Sequence, residues 1–194
     1  MEEGRKEKIQ SYFRELDRSF FMDIHKEAAH LDEAVPIGYE QTISQPSLVL
    51  EMTLALDLQK DSVVLEIGTG SGFQTALLAE FSKTVYTVER IEELHTRAKE
   101  RLQTAGFQNI HFKLDDGSAG WKEKAPFDRI MVTAAASEMP QELVDQLKPG
   151  GKMLIPIGSA LVQKLKLVEK NEQEKLTTTT LNYVRFVPLK GKYE

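Results

Sequence analysis

The 194-residue sequence contains no cysteine, which excludes disulfide bonds, thiol nucleophiles and cysteine-ligated zinc. It has no apolar run near the ~20 residues that a transmembrane helix requires, and its first residues, MEEGRKEKIQ, lack an apolar signal-peptide core. It also lacks a surplus of positive charge, since the formal net charge of -5 gives no electrostatic case for binding nucleic acid or an anionic membrane. We therefore expect a cytoplasmic protein whose partners are neither nucleic acid nor a membrane.

The remaining composition is that of an ordinary globular protein, with 41% hydrophobic and 28% charged residues. The length suits one sizeable α/β domain and is short for two. No internal repeat, linker or low-complexity segment divides the chain. We expect a single domain over residues 1–194.

The stretch VVLEIGTGSGF at 63–73 combines a buried-strand pattern, a glycine-rich turn and the start of an apolar helix. Its glycines, Gly68, Gly70 and Gly72, occupy alternate positions and form what we term the glycine loop, residues 68–72. Such a turn permits positive φ angles and lets a ligand approach backbone N–H groups at a helix N-terminus. Glycines that merely shape a tight strand-to-helix connection would give the same pattern, so the loop alone leaves both interpretations open.

Strand and helix patterns alternate along the rest of the chain. Strands are predicted at 63–65, 84–88, 111–114, 127–133 and 152–157, and helices at 5–17, 47–56, 73–81, 92–105 and 140–147. A period close to two over 161–168 and 176–187 predicts a terminal β-hairpin, and the segment KPGG at 148–151 predicts a turn. The expected fold is α/β, a doubly wound, mostly parallel seven-stranded sheet with an N-terminal helical segment and a C-terminal β-hairpin.

Acidic residues follow the second and third of these strands. Glu89 lies about 20 residues after the glycine loop, where a carboxylate would bind a ribose diol. Asp116 and Gly117 follow the next strand, where a carboxylate could accept a hydrogen bond from an exocyclic amine such as that of adenine. The alternative for Asp115 and Asp116 is a surface turn with its own backbone hydrogen bonds.

A second distinctive segment, IGYEQTISQP at 37–46, lies before the first of these strands, and we term it the upstream loop. Glycine and proline mark it as an ordered loop. Thr42 and Ser44 would suit a cap for the helix that follows. Before this segment, the spacing of His25 and His30 does not place them on one helix face, so no metal site is expected there.

Together the two loops resemble those of the protein-L-isoaspartate O-methyltransferases. The upstream loop is similar to the signature loop of that family, and VLEIGTGSGFQTA at 64–76 is similar to its loop for S-adenosylmethionine (AdoMet). The glycines follow the pattern E-x-G-x-G-x-G rather than the G-x-G-x-x-G of dinucleotide folds. Further matches follow in the family's order at 116–117 (DG), 125–128 (APFD), 140 (P), 146–147 (QL), 149–151 (PGG) and 155–158 (IPIG).

The resemblance implies a Rossmann-like fold, AdoMet as cofactor, and methyl transfer to the free carboxylate of L-isoaspartyl residues in damaged proteins or peptides, a protein-repair reaction. The family's active-site serine matches Ser44, with Thr42 and Ile43 shaping the substrate pocket. Cofactor contacts are implied for Glu66, Gly68, Gly70, Gly72, Glu89, Asp116 and Gly117. An ionised carboxylate is already a nucleophile at neutral pH, so no general base and no metal are expected.

On this interpretation residues 1–46 form a helical and substrate-loop segment, 47–158 a cofactor-binding core and 159–194 the hairpin. Two positions depart from the family pattern: Glu40 stands where glycine is usual, and Ser47 where a larger residue is usual. A Glu40 side chain directed inward would weaken binding of a carboxylate substrate. The alternatives are an AdoMet enzyme of the same lineage that acts on another small molecule, protein or RNA, and a non-catalytic AdoMet-binding module. Oligomeric state is not predicted.

Overall fold

A seven-stranded sheet with helices on both faces forms the body of the protein. A computed structural model describes residues 3–159 and 161–193. The helices are α1 (Glu3–Glu15), α2 (Pro46–Leu56), α3 (Phe73–Glu80), α4 (Glu92–Thr104) and α5 (Gln141–Gln146). The strands are β1 (Val35–Gly38), β2 (Gln41–Ile43), β3 (Val63–Ile67), β4 (Thr84–Glu89), β5 (Ile110–Leu114), β6 (Phe127–Val132), β7 (Leu147–Gly158), β8 (Gln163–Lys170) and β9 (Leu176–Val184). Among the described residues, none of the helices combines the length and the apolar character that crossing a bilayer demands.

The order of strands across the main sheet is β5-β4-β3-β6-β7-β8-β9. The strands from β3 to β7 pair in parallel, whereas β8 and β9 add in antiparallel fashion as a hairpin. This arrangement confirms the predicted doubly wound, mostly parallel sheet and its C-terminal hairpin. The chain builds outward from β3 in one direction and then from β6 in the other, so a crevice opens at the carboxyl ends of these two central strands.

The sheet is buried on both faces because successive side chains of a strand point to opposite sides. Leu65 and Ile130 belong to the apolar cluster on one face, and the adjacent Val64 and Met131 belong to the cluster on the other. Helices α2 and α3 cover the second face, where Met52 and Leu78 are buried. Near-continuous apolar strands follow from this double coverage, and they give the site a rigid support.

Helix α1 packs against the domain, as its amphipathic pattern predicts. Ile9 is fully buried, the ring of Phe13 lies 6.2 Å from that of Phe73, and the ring of Tyr12 meets that of Phe81 edge-on at 5.6 Å. The N-terminal segment therefore rests on the helix that begins at the glycine loop.

The upstream loop is more regular than the sequence predicts. Within it β1 and β2 pair as a short antiparallel ribbon, with Gly38 opposite Gln41. The two connecting residues, Tyr39 and Glu40, have left-handed φ angles of 55° and 58°. Two-residue hairpins with a type I′ turn require this conformation at both positions, which is why glycine and asparagine are favoured there. The left-handed backbone at position 40 explains why glycine is usual there in the family. Glu40, which carries a Cβ atom, adopts the same conformation with strain.

The segment 148–151 also differs from its predicted turn, because it lies within β7. Phe127 pairs with Leu147, and the next partners are Arg129 and Lys152. The intervening residues of β7 form a bulge that leaves the parallel pairing intact on either side. Proline and glycine are tolerated in a strand at a bulge. Because both residues are also typical of turns, composition alone predicted a turn.

Replacing Glu40 by glycine is expected to stabilise the protein by about 1 kcal/mol, because glycine adopts a left-handed φ without the clash of a Cβ atom. The Glu40 side chain is exposed, so its loss leaves no cavity. Urea denaturation of the parent, Glu40→Gly and Glu40→Ala measures the effect. Alanine removes the same charge but keeps the strain, and an equal gain in both variants would contradict the backbone explanation.

Candidate active site

A cleft of about 780 Å³, including its open mouth, lies at the carboxyl ends of the central strands. Ligands of open α/β sheets bind in this crevice, outside the carboxyl ends of the strands. Four stretches contribute to its wall: 41–44 of the upstream loop, 67–71 with all of the glycine loop except Gly72, 88–90 at the end of β4, and 187–190 after β9. Gly117 and Thr133 complete that part of the wall. We term this space the first cleft.

The glycines of the loop serve different purposes. Gly70 lines the first cleft, has a φ of 53°, and a Cβ there would meet no atom within 4 Å, so its backbone faces open space. Gly68 also lines the cleft, and a Cβ there would collide with the hydroxyl of Thr133, which donates to the Gly68 carbonyl at 2.7 Å. Gly72 lies at the start of α3, where a Cβ would press on Leu102 of α4 at 3.0 Å. Gly70 therefore leaves room for a ligand, whereas Gly72 permits close helix packing.

Glu89 fixes the glycine loop to the end of β4. Its Oε2 accepts the N–H of Gly70 at 2.9 Å, and its Oε1 accepts the N–H groups of Arg90 and Ile91 at 2.9 and 3.0 Å. A carboxylate has about four acceptor positions, so capacity remains for a ligand hydroxyl. Glu89 lies on the wall of the first cleft, at the position where the sequence predicts a ribose contact.

Glu66 lies behind the glycine loop rather than on the cleft wall. It is fully buried, and its Oε2 accepts hydrogen bonds from the hydroxyls of Thr75 and Thr87 at 2.6 and 2.7 Å. The hydroxyl of Thr87 also bonds to that of Thr69 in the loop at 2.6 Å. Burial raises the pKa of Glu66 to about 8 against the opposing effect of the two threonine bonds. At neutral pH Glu66 is thus mainly a neutral acid that supports the loop from below.

Asp116 forms hydrogen bonds within its own surface turn, which is the alternative to a direct ligand contact. Its Oδ1 accepts the N–H of Ser118 at 2.8 Å, and its Oδ2 bonds to the Ser118 hydroxyl at 2.9 Å. A Cβ on Gly191 would collide with this carboxylate, so the backbone near residue 191 passes directly over it. Its neighbour Gly117 lies on the wall of the first cleft. A direct contact between Asp116 and a cofactor stays a prediction.

Ser44 stands where two clefts meet. Thr42, Ile43 and Ser44 line the first cleft opposite the glycine loop. Thr42 and Ser44 also line a second cleft, a groove of about 1,240 Å³, including its open mouth, between α2 and the β8–β9 hairpin. Both residues therefore lie on the walls of both clefts.

The alternative role of Thr42 and Ser44 as helix caps is not what the structure shows. Gln45 is the residue before α2 and makes no side-chain cap. The N–H of Ser47 in the first turn instead donates to the carboxylate of Asp32 at 2.8 Å. The cap thus comes from a distant residue, and Ser44 is not required for it.

Sequence reasoning missed part of the cleft wall. Residues 187–190 reach the wall because the N–H of Ala135 donates to the Val187 carbonyl and the N–H of Leu189 donates to the Ala135 carbonyl, both at 2.8 Å. No periodicity or motif in the linear sequence indicated this contact. Arg18, a buried cation behind the upstream loop, was not predicted either, because its signal in the sequence is no more than a charge beside an apolar segment.

Glu66→Gln is expected to reduce the dependence of stability on pH. Because the pKa of Glu66 lies near 8 in the folded protein and at 4.5 ordinarily, only the folded state keeps the proton between these values. The parent should then lose stability as pH rises, by up to about 1.4 kcal/mol per pH unit. Glutamine does not titrate, so the Tm advantage of the variant should widen from pH 5 to pH 8. A constant difference would contradict the buried-acid assignment, and Glu100→Gln, on the exposed surface of α4, is the matched control.

Known proteins share both the sequence and the fold described above. The family model for Protein-L-isoaspartate(D-aspartate) O-methyltransferase (PCMT) matches residues 2–194. A protein-L-isoaspartate O-methyltransferase of Dictyoglomus turgidum is 56% identical over 166 residues, which make up 85% of this chain and 74% of that protein. A solved protein-L-isoaspartate O-methyltransferase structure has a TM-score of 0.82 at 27% identity, and the match covers 97% of this chain and 67% of that one.

A second solved structure carries the same family name and was determined in complex with S-adenosyl-L-homocysteine. This Plasmodium falciparum protein has a TM-score of 0.79 at 26% identity, over 94% of this chain and 89% of that one. Sequence and structure therefore agree over nearly the whole length, and the resemblance of the two loops is confirmed: the chain belongs to the protein-L-isoaspartate(D-aspartate) O-methyltransferase family.

Proposed function

We propose that this protein transfers the methyl group of AdoMet to the free carboxylate of L-isoaspartyl residues in damaged proteins, a repair reaction. The observation that carries the proposal is the meeting of the two clefts at Thr42 and Ser44. The first cleft has the glycine loop and Glu89 on its wall, and the second runs between α2 and the β8–β9 hairpin, where a polypeptide segment could lie. A methyl donor in one and a peptide carboxylate in the other would meet beside Ser44.

The first cleft fits AdoMet on its own features. Gly70 presents backbone without a side chain, which allows close approach of the amino-acid end of AdoMet. Glu89 offers its remaining acceptor capacity to a ribose hydroxyl, and Gly117 with residues 187–190 would border the adenine. AdoMet carries no phosphate, so the absence of a lysine or arginine cluster from the glycine loop agrees with it. When bound, the cofactor supplies an electrophilic methyl group.

The residues around Ser44 would act by positioning and desolvation. An isoaspartyl carboxylate is ionised at neutral pH and needs no base. The Ser44 hydroxyl can donate a hydrogen bond to one carboxylate oxygen, which leaves the other oxygen to attack the methyl carbon. Ile43 is 2% exposed and provides an apolar surface beside it. Holding the two reacting atoms in line can supply much of the rate enhancement of such a transfer.

The two departures from the family pattern do not place a charge against the substrate. Glu40 is exposed and lies outside the residues that form the walls of both clefts, so its charge is screened by solvent. Ser47 lines the second cleft, where a side chain smaller than usual leaves the groove wider. Neither departure therefore opposes a peptide carboxylate as the substrate.

Methyl transfer from labelled AdoMet to matched peptides tests the proposed function. We expect base-labile methyl ester on an L-isoaspartyl peptide and none on its L-aspartyl counterpart. Ser44→Ala should lower kcat by about 100-fold, the usual effect of removing one well-placed donor, while AdoMet binding is retained. Equal transfer to both peptides, or none to either by a protein that binds AdoMet, would refute the proposal and favour another substrate or a binding module.

Glu89→Gln is expected to weaken AdoMet binding by about tenfold or more, because charge-assisted hydrogen bonds are roughly twice as strong as neutral ones. The amide nitrogen of glutamine also cannot accept the N–H of Gly70 or of Arg90. Isothermal titration measures the change in Kd, with Glu93→Gln on the exposed surface of α4 as the matched control. Parental affinity in Glu89→Gln would exclude the ribose role of this carboxylate.

A further inference from the structure

A single buried guanidinium lies directly behind the upstream loop. Arg18 begins the 3-10 turn Arg18–Phe21 and is 6% exposed. Its Nη1 and Nη2 atoms donate hydrogen bonds to main-chain carbonyls of two separate segments. In the first segment the acceptors are Ala29 at 3.3 Å, Leu31 at 2.9 Å and Glu33 at 2.7 Å, and in the upstream loop they are Ile43 at 3.4 Å and Ser44 at 3.1 Å.

These contacts give main-chain carbonyls of two segments a hydrogen-bond donor, and the contact with Ile43 is buried. A planar guanidinium presents its donors in a fixed fork, so it sets the directions of several acceptors at once. Lysine, with a point charge on a flexible stem, cannot hold the same set. The peptide planes at Ile43 and Ser44 are consequently fixed by Arg18, and with them the direction in which the Ser44 side chain leaves the backbone.

The same N-terminal segment also holds the other end of the loop. The carboxylate of Asp32 accepts the N–H of Ser47 at 2.8 Å and the side-chain amide of Gln45 at 3.1 Å. The hydrogen bond from Ser47 also holds the pKa of Asp32 below its usual value, so this carboxylate stays ionised. Residues 43–47 are therefore held from both ends, by Arg18 through carbonyls and by Asp32 through an N–H group.

We propose that Arg18 is a positioning residue for methyl transfer, which acts through the carbonyls of Ile43 and Ser44 to direct the Ser44 hydroxyl to the meeting point of the two clefts. This inference rests on the proposed function of Ser44. Arg18 lies behind the loop and is not among the residues that line either cleft. Its effect should therefore fall on turnover of the peptide rather than on binding of AdoMet.

Arg18→Lys tests the inference, with Arg129→Lys as the matched control. Arg129 is likewise buried, at 8% exposure, and donates to the main-chain carbonyls of Asp57 and Asp128, away from both clefts. We expect Arg18→Lys to lower kcat for the isoaspartyl peptide by at least about tenfold, because small misplacements of reacting groups have effects of this size or larger. The KM for AdoMet should be unchanged. Arg129→Lys should lose stability but keep both kinetic constants.

A double variant tests whether Arg18 affects kcat through Ser44. If Arg18 acts through Ser44, Arg18→Lys should have little further effect in the Ser44→Ala background, since coupled residues are not additive. The inference is overturned if Arg18→Lys keeps the parental kcat per folded molecule, or if its full effect persists without the serine hydroxyl.

Hydrogen exchange provides a readout that does not depend on turnover. Amides at 41–47 should exchange faster in Arg18→Lys than in the parent and Arg129→Lys, because the loop loses its fixed carbonyls. Unchanged exchange there would overturn the inference even in an active enzyme. A parent that methylates neither peptide, with loop exchange that still responds to Arg18→Lys, would refute the proposed function instead.

Discussion

The hydrogen bond from the Gly70 N–H to the Glu89 carboxylate is the interaction on which the site depends. Glycines give the loop room for a ligand. They also give it conformational freedom, which would leave the ligand contacts without fixed positions. Glu89 removes that freedom from the side of β4, while the Thr69–Thr87–Glu66 chain of hydrogen bonds removes it from below. Two acidic residues, Glu89 and the buried Glu66, thus give the loop a fixed backbone while its glycines keep the space free of side chains.

Much of the fold could be predicted because its signals are local. Buried parallel strands such as β3 and β4 are short apolar runs, and their spacing predicts the sheet. Details that depend on contacts between distant residues could not be predicted. The ribbon at 35–43 is too short to show a period, and the bulge at 148–151 has the composition of a turn. Both assignments required the partner strand.

The residues of the site differ in the same way: their identity could be predicted from local motifs, whereas the direction of their side chains could not. Ser44, Gly70 and Glu89 were recognised from motifs, and the structure brings all three to one cleft. Glu66 and Asp116 belong to the same motifs, yet one is buried behind the loop and the other bonds to its own turn. A motif specifies residue types and spacing, whereas the direction of a side chain depends on neighbours that the motif does not contain.

The contact of residues 187–190 with the cleft has a consequence for the order of assembly. These residues follow every strand of the sheet, yet they form part of the wall beside Thr133 and Gly117. During synthesis on the ribosome, the sheet can therefore be complete while the cleft is still open on one side. A nascent chain acquires its finished binding site only when these last wall residues have emerged and paired with Ala135.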